Sequence, residues 1–194
     1  MKKVFRSHFT ILALVLVVMV LVSGCGGFKA TSSPAKLSAQ SVTSPIKVQY
    51  LCGQTADPSN KVQPCYKIYN TGTASIDIST IKVRYYYTID TQQPQNFFID
   101  YVSGVSSSSC AGTFVQLSTP QTGADYYCEL SFASGAGTIA PGGSIQVKTR
   151  FSKSDFSSYT QSNDYSFDAT KTAYTDYTKT PAYINGALAW GTEP

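Results

Sequence analysis

Histidine is nearly missing from this 194-residue chain: the single one, His8, sits in the N-terminal segment. Without it, Ser-His-Asp and Cys-His hydrolysis, imidazole acid–base chemistry and the usual catalytic zinc triads have nothing to build on. Glutamate is almost as scarce, with only Glu129 and Glu193. Several aspartates are present, but no local pattern nominates the carboxylate pair that glycoside hydrolysis needs. These absences predict a protein that is not an enzyme. Basic clusters are missing too: setting aside Lys2, Lys3 and Arg6, the fifteen basic side chains fall to twelve against eleven acidic ones, with no Lys/Arg run elsewhere. A nearly neutral chain of that kind argues against nucleic acid as a partner.

What is present begins with those three cations, followed by an apolar run from Phe9 to Val22 and then Ser23-Gly24-Cys25. The run is short for a permanent membrane span, and small residues precede the cysteine, so residues 1–24 read as an export signal. Val22-Ser23-Gly24-Cys25 resembles a lipobox, which implies cleavage before Cys25, acylation of its sulfur and attachment to the bacterial membrane on the extracytoplasmic side. Residues 25–45, rich in Ser, Ala, Thr and Pro, read as a flexible tether. Residues 46–194 are enough for one domain with a substantial core.

Beyond Cys25 four cysteines remain: Cys52, Cys65, Cys110 and Cys128. In an exported domain an even set predicts disulfides, with three connectivities open. Cys52 and Cys65 flank the turn-rich Ala56-Asp57-Pro58-Ser59-Asn60, which suggests a bridge across a hairpin. That leaves Cys110 with Cys128. A zinc site lacks close cysteine pairs and histidine.

Short runs of β-branched and aromatic residues alternate with Gly, Pro, Asn and Ser punctuation, among them Ile46–Cys52, Ile81–Thr88, Tyr126–Phe132 and Ser144–Phe151. Such spacing predicts an all-β domain. In one run Ile81, Val83, Tyr85 and Tyr87 share a face while Lys82, Arg84, Tyr86 and Thr88 share the other. No stretch carries a helical period with caps, so the expected fold class is a jelly-roll β-sandwich. The 14 tyrosines are expected to be mainly half-buried sandwich residues.

Four segments together resemble the family 3 carbohydrate-binding modules of scaffoldins and cellulases: Tyr69-Asn70-Thr71-Gly72, Arg84-Tyr85-Tyr86-Tyr87-Thr88-Ile89-Asp90, Gln161-Ser162-Asn163-Asp164-Tyr165-Ser166-Phe167, and Ala182-Tyr183-Ile184-Asn185-Gly186 with Trp190-Gly191. The resemblance spans the whole domain and implies about nine strands, a structural Ca2+, a flat polysaccharide-binding strip on one sheet and a shallow groove on the other. Carried over residue by residue, it implies that Thr88, Asp90, Thr160, Asn163 and Asp164 hold the calcium, with oxygen donors suited to a hard cation. The strip maps onto Asp100, Tyr101, Arg150 and Phe156, and the groove onto Arg84 and Tyr86.

Two departures from the family pattern stand out. Phe156 occupies the position of the family's exposed tryptophan, and the loop Val102–Ser109 is short and lacks an aromatic. A phenyl platform offers less area, so weaker binding to crystalline cellulose and a leaning towards amorphous or soluble β-glucan are expected. The resemblance implies a lipid-anchored, surface-displayed module that binds cellulose or a related β-glycan without catalysis. The alternative is an envelope structural or sensory lipoprotein that binds another β-glycan, an exopolysaccharide or a protein.

Overall fold

The computed structural model describes residues 44–194. The export signal, Cys25 and most of the tether lie outside the described residues. Among the described residues twelve strands follow one another: β1 (Ile46–Cys52), β2 (Pro64–Asn70), β3 (Ile76–Asp77), β4 (Ile81–Tyr87), β5 (Gln95–Val102), β6 (Cys110–Gln121), β7 (Ala124–Phe132), β8 (Thr138–Ile139), β9 (Ser144–Lys153), β10 (Thr175–Asp176), β11 (Ala182–Ile184) and β12 (Ala187–Trp190). Two five-stranded sheets, ordered β10-β1-β2-β9-β5 and β12-β11-β4-β7-β6, form a sandwich, and β3 pairs with β8. Every pairing is antiparallel. The expected all-β sandwich is what forms. The additional strands are pieces of two to four residues such as β3, β8, β10 and β12, too short to leave a periodicity of their own.

The period of two sorts the side chains as the sequence suggests. On β4, Ile81, Val83, Tyr85 and Tyr87 are buried between the sheets, facing Val48, Tyr50, Ile68, Val147 and Phe151 of the opposite sheet. The centre is aromatic: Phe151 lies 4.9 Å from Tyr87, 6.0 Å from Tyr85 and 5.7 Å from Tyr159, ring centroid to centroid. Tilted and edge-to-face contacts at these distances suit the ring quadrupoles. At one side of the sandwich Phe97 of β5 closes the gap between the sheets by packing on Gly112 of β6, where an added Cβ would lie 2.2 Å from the ring.

The cysteines depart from the expected framework: Cys52, Cys65, Cys110 and Cys128 are all free thiols. Register is the reason. Cys65 stands opposite Leu51, and Cys52 opposite Pro64. Neighbours along a strand point to opposite faces, so Cys52 enters the core between the sheets while Cys65, also buried, lies on the other face of its sheet. Cys110 stands opposite Phe132 and Cys128 opposite Phe114, four rungs apart and roughly 13 Å at strand rise. A disulfide needs Cα atoms within about 7 Å. Burial pushes the Cys65 thiol up to about 11, away from reactivity.

Candidate functional site

Three of the four residues expected on the strip come from β5 and β9, paired at one edge of the first sheet, and the fourth follows β9. Phe98 stands opposite Arg150 and Tyr101 opposite Lys148, while the register shifts between Ile99 and Tyr101. Asp100 is the extra residue of this bulge. A bulge re-aims side chains, and here it puts Asp100 and Tyr101 on the same outer face although they are consecutive. Asp100 Oδ1 accepts the Arg150 Nε–H at 2.7 Å, and Oδ2 accepts Gln63 Nε2–H at 3.2 Å. The Arg150 guanidinium carbon lies 4.4 Å from the centre of the Phe98 ring. Ion pair, amide and rings thus form one surface, with the Lys148 ammonium 5.9 Å from the centre of the Tyr101 ring.

Phe156, three residues beyond the end of β9, is the most exposed large apolar residue among the described residues, at 65%. Its φ of 58° lies in the left-handed region, costly for a phenylalanine. The surrounding turn fixes it there. Phe156 N–H donates to Lys153 O at 3.1 Å and Ser154 N–H to Pro94 O at 2.8 Å. Asp155 Oδ1 accepts both the Ser157 amide (3.0 Å) and its hydroxyl (2.8 Å). Phe98 (40% exposed) belongs with Tyr101 (48%) and Phe156, and was missed from the sequence. The signal was the doublet Phe97-Phe98, because a strand cannot bury two consecutive side chains on one face.

The five residues expected at a cation site meet where the end of β4 faces the 3-10 turn Gln161–Asn163. Asp164 Oδ1 accepts the Thr88 amide at 2.8 Å and the Thr88 hydroxyl at 2.9 Å, and that hydroxyl also lies 2.8 Å from Asn163 Oδ1. Asp90 Oδ2 accepts the Thr160 amide at 2.7 Å. Asp125, unforeseen, accepts the Ile89 amide at 2.8 Å. Asp164 is buried and its Oδ2 has no hydrogen-bond partner. Burial, with added repulsion from Asp90 and Asp125, pushes its pKa up to about 8 against the Thr88 hydrogen bonds. A buried carboxylate oxygen without a partner is costly. Among the described residues no three His, Cys, Asp or Glu side chains group as metal ligands, so any ion here also draws on the amide and threonine oxygens. Hard oxygens of this kind fit calcium.

On the second sheet Arg84 and Tyr86 face outward as expected, but Tyr86 is buried rather than open. The Arg84 guanidinium lies between the rings of Tyr127 (4.3 Å) and Tyr183 (4.2 Å). It pairs with Glu129 at 2.9 Å and Glu193 at 3.3 Å. Glu193 also accepts from the hydroxyls of Tyr183 and Tyr86. Arg84 thus packs as an ion-paired cation lining an open cleft of about 470 Å³, together with Leu117 and Gln121.

A two-sheet sandwich with an open aromatic and ion-paired strip defines the class of carbohydrate-binding modules. The chain belongs to family 3 of that class: the model of this cellulose-binding domain matches residues 47–191. The family's domain is itself non-catalytic, and such domains are extracellular. Exoglucanase-2 of Thermoclostridium stercorarium is 49% identical over 147 residues, which are 76% of this chain but only 16% of that protein. A solved module of the major scaffoldin ScaA from Acetivibrio cellulolyticus is 41% identical with a TM-score of 0.76, covering 78% of this chain and 99% of the module. A biomass sensing module of an Rsgi-like protein from Clostridium thermocellum is 37% identical with a TM-score of 0.74, covering 77% and 98%.

Proposed function

We propose that the chain holds cellulose non-catalytically on the outer face of β5 and β9, and that a lipid on Cys25 keeps it on the outside of the bacterial membrane. The observation that carries the first half is the row Tyr101, Asp100–Arg150 and Phe98, continued beyond β9 by the strained and exposed Phe156. Aromatic rings laid open cover the axial C–H faces of pyranoses, while Asp100, Gln63 and Arg150 meet hydroxyls at the ring edges. The strip has no deep pocket, which suits an extended chain or an exposed chain surface. The lipobox-like sequence supports the second half.

Calcium belongs to this reading as a structural ion. Thr88, Asp90, Thr160, Asn163 and Asp164 would hold it, and its charge would neutralise the buried Asp164 and tie the end of β4 to the Gln161–Asn163 turn. Members of the family often bind calcium, and the orphaned Asp164 Oδ2 supports the same for this chain.

The testing experiment is depletion of the protein by microcrystalline and amorphous cellulose. Retention that falls in Phe156→Ala and in Phe98→Ala supports the reading, whereas equal retention of both variants and the parent would sink it. For the anchor, Cys25→Ser should move the protein from the membrane fraction to the soluble one.

A further inference from the structure

The strip ends at β5, an edge strand, and at that edge lies a second feature that shares Phe98 and Arg150 with the planar surface. A shallow, open cleft of about 420 Å³ is lined by Phe98 and Arg150 on the strip side and by Ser107, Ser108 and Cys110 on the other. Its volume falls within the ~300–1,000 Å³ of small-ligand sites. The far wall is the short loop that precedes β6, wound into a 3-10 turn at Ser107–Ser109. That turn is fixed by its backbone: Ser109 N–H donates to Ser106 O at 3.0 Å, and Ala133 N–H to Ser109 O at 2.8 Å. The Ser106 hydroxyl accepts the Ser108 amide at 3.3 Å and pairs with the Ser108 hydroxyl at 2.7 Å. Ser107 and Ser108 are therefore held exposed across the cleft from Phe98, whose ring centre lies 4.4 Å from the Arg150 guanidinium carbon.

Aromatic carbon and a cation on one side with hydroxyls on the other are what a single sugar residue needs: an apolar ring face and a rim of hydrogen-bonding groups. The position decides which sugar. An unbranched β-glucan lying along the strip has nothing that projects sideways past β5, whereas a backbone carrying side-chain sugars does. We propose that this cleft is a subsite for a side-chain sugar of a soluble, branched β-1,4-glucan whose backbone lies on the strip. The proposal rests on the reading that the strip binds glucan.

The test uses the full chain with xyloglucan as the branched probe and amorphous cellulose as the unbranched one. Ser107→Trp fills the cleft, and the double variant Ser107→Ala/Ser108→Ala removes its hydroxyls without adding bulk; thermal melting verifies that each folds. Expected is a loss of xyloglucan affinity on the order of tenfold in the filled variant, about 1.4 kcal/mol, and a smaller loss in the alanine pair. Retention on amorphous cellulose should be unchanged in both. Parental xyloglucan affinity in both variants, or parallel loss of both ligands, overturns the subsite; if Phe156→Ala still loses amorphous cellulose, the strip reading survives. Should neither the parent nor any variant bind either glucan, strip and subsite fall together.

Discussion

The ammonium of Lys153 donates to the carbonyl of Ser158 at 2.9 Å, closing from below the turn that displays Phe156. Lys153 is fully buried and its Nζ also sits 4.5 Å from the centre of the Tyr159 ring. Its own carbonyl accepts the Phe156 amide, so one residue fixes the turn through backbone and side chain alike. Lys153→Met keeps the volume and leaves the Ser158 carbonyl without its donor, a loss of about 1–3 kcal/mol. We expect a lowered melting temperature together with reduced retention on cellulose, read from thermal denaturation and a depletion isotherm, because the turn that carries Phe156 loosens.

Ring area at position 156 should set affinity. Alanine and tryptophan both bear the positive-φ strain that phenylalanine bears there, so substitution changes the platform more than the turn. Phe156→Ala should weaken binding to microcrystalline cellulose roughly tenfold, and Phe156→Trp should strengthen it, consistent with about 0.5–1.5 kcal/mol for an aromatic contact beyond its area. A tryptophan variant that binds no better than the parent would count against a stacking role for this side chain.

Calcium should raise the melting temperature, and a chelator should lower it, because an ion bound to the folded state alone adds RT ln(1 + [L]/Kd) to its stability. In Asp164→Asn the response should vanish. The chelated variant should be no less stable than the chelated parent, since the amide removes a buried carboxylate beside Asp90 and Asp125. Melting curves with and without chelator for both proteins decide the matter.

Glu129 supplies the pH dependence. Burial pushes its pKa up, but hydrogen bonds and charge from Lys82 and Arg84 outweigh that and leave it below the ordinary glutamate value of 4.5. A folded-state pKa below the unfolded one gives stability that is present above the unfolded value and lost as pH falls through the folded one. Between about pH 5 and pH 3 the parent should therefore lose stability more steeply than Glu129→Gln, as measured by denaturant midpoints across that window.

Gly112→Ala tests the seam between the sheets. With a Cβ 2.2 Å from Cγ of Phe97, the ring must shift from its place, and forced repacking of this kind costs about 1–3 kcal/mol. Pairing it with Phe97→Leu should recover part of the loss in a double-mutant cycle.

The sequence by itself determined the class of fold, because alternation along runs such as Ile81–Tyr87 is a local consequence of strand geometry and survives into the buried face of β4. The family resemblance pointed to the residues around Asp164, four of them in two short motifs, and to the strip positions Asp100, Tyr101, Arg150 and Phe156, which are spread along the chain. Only the tertiary structure decided what depends on register and bulges. A shift of one rung turns Cys52 and Cys65 to opposite faces, and one extra residue at Asp100 turns Tyr101 outward beside it. The inclusion of Phe98 in the strip, the burial of Tyr86 under Glu193 and the approach of Asp125 to Asp164 are likewise settled by contacts between segments far apart in the chain. Pairing partners are not encoded in the period of any single strand, so these relationships exist only once the sheets have formed.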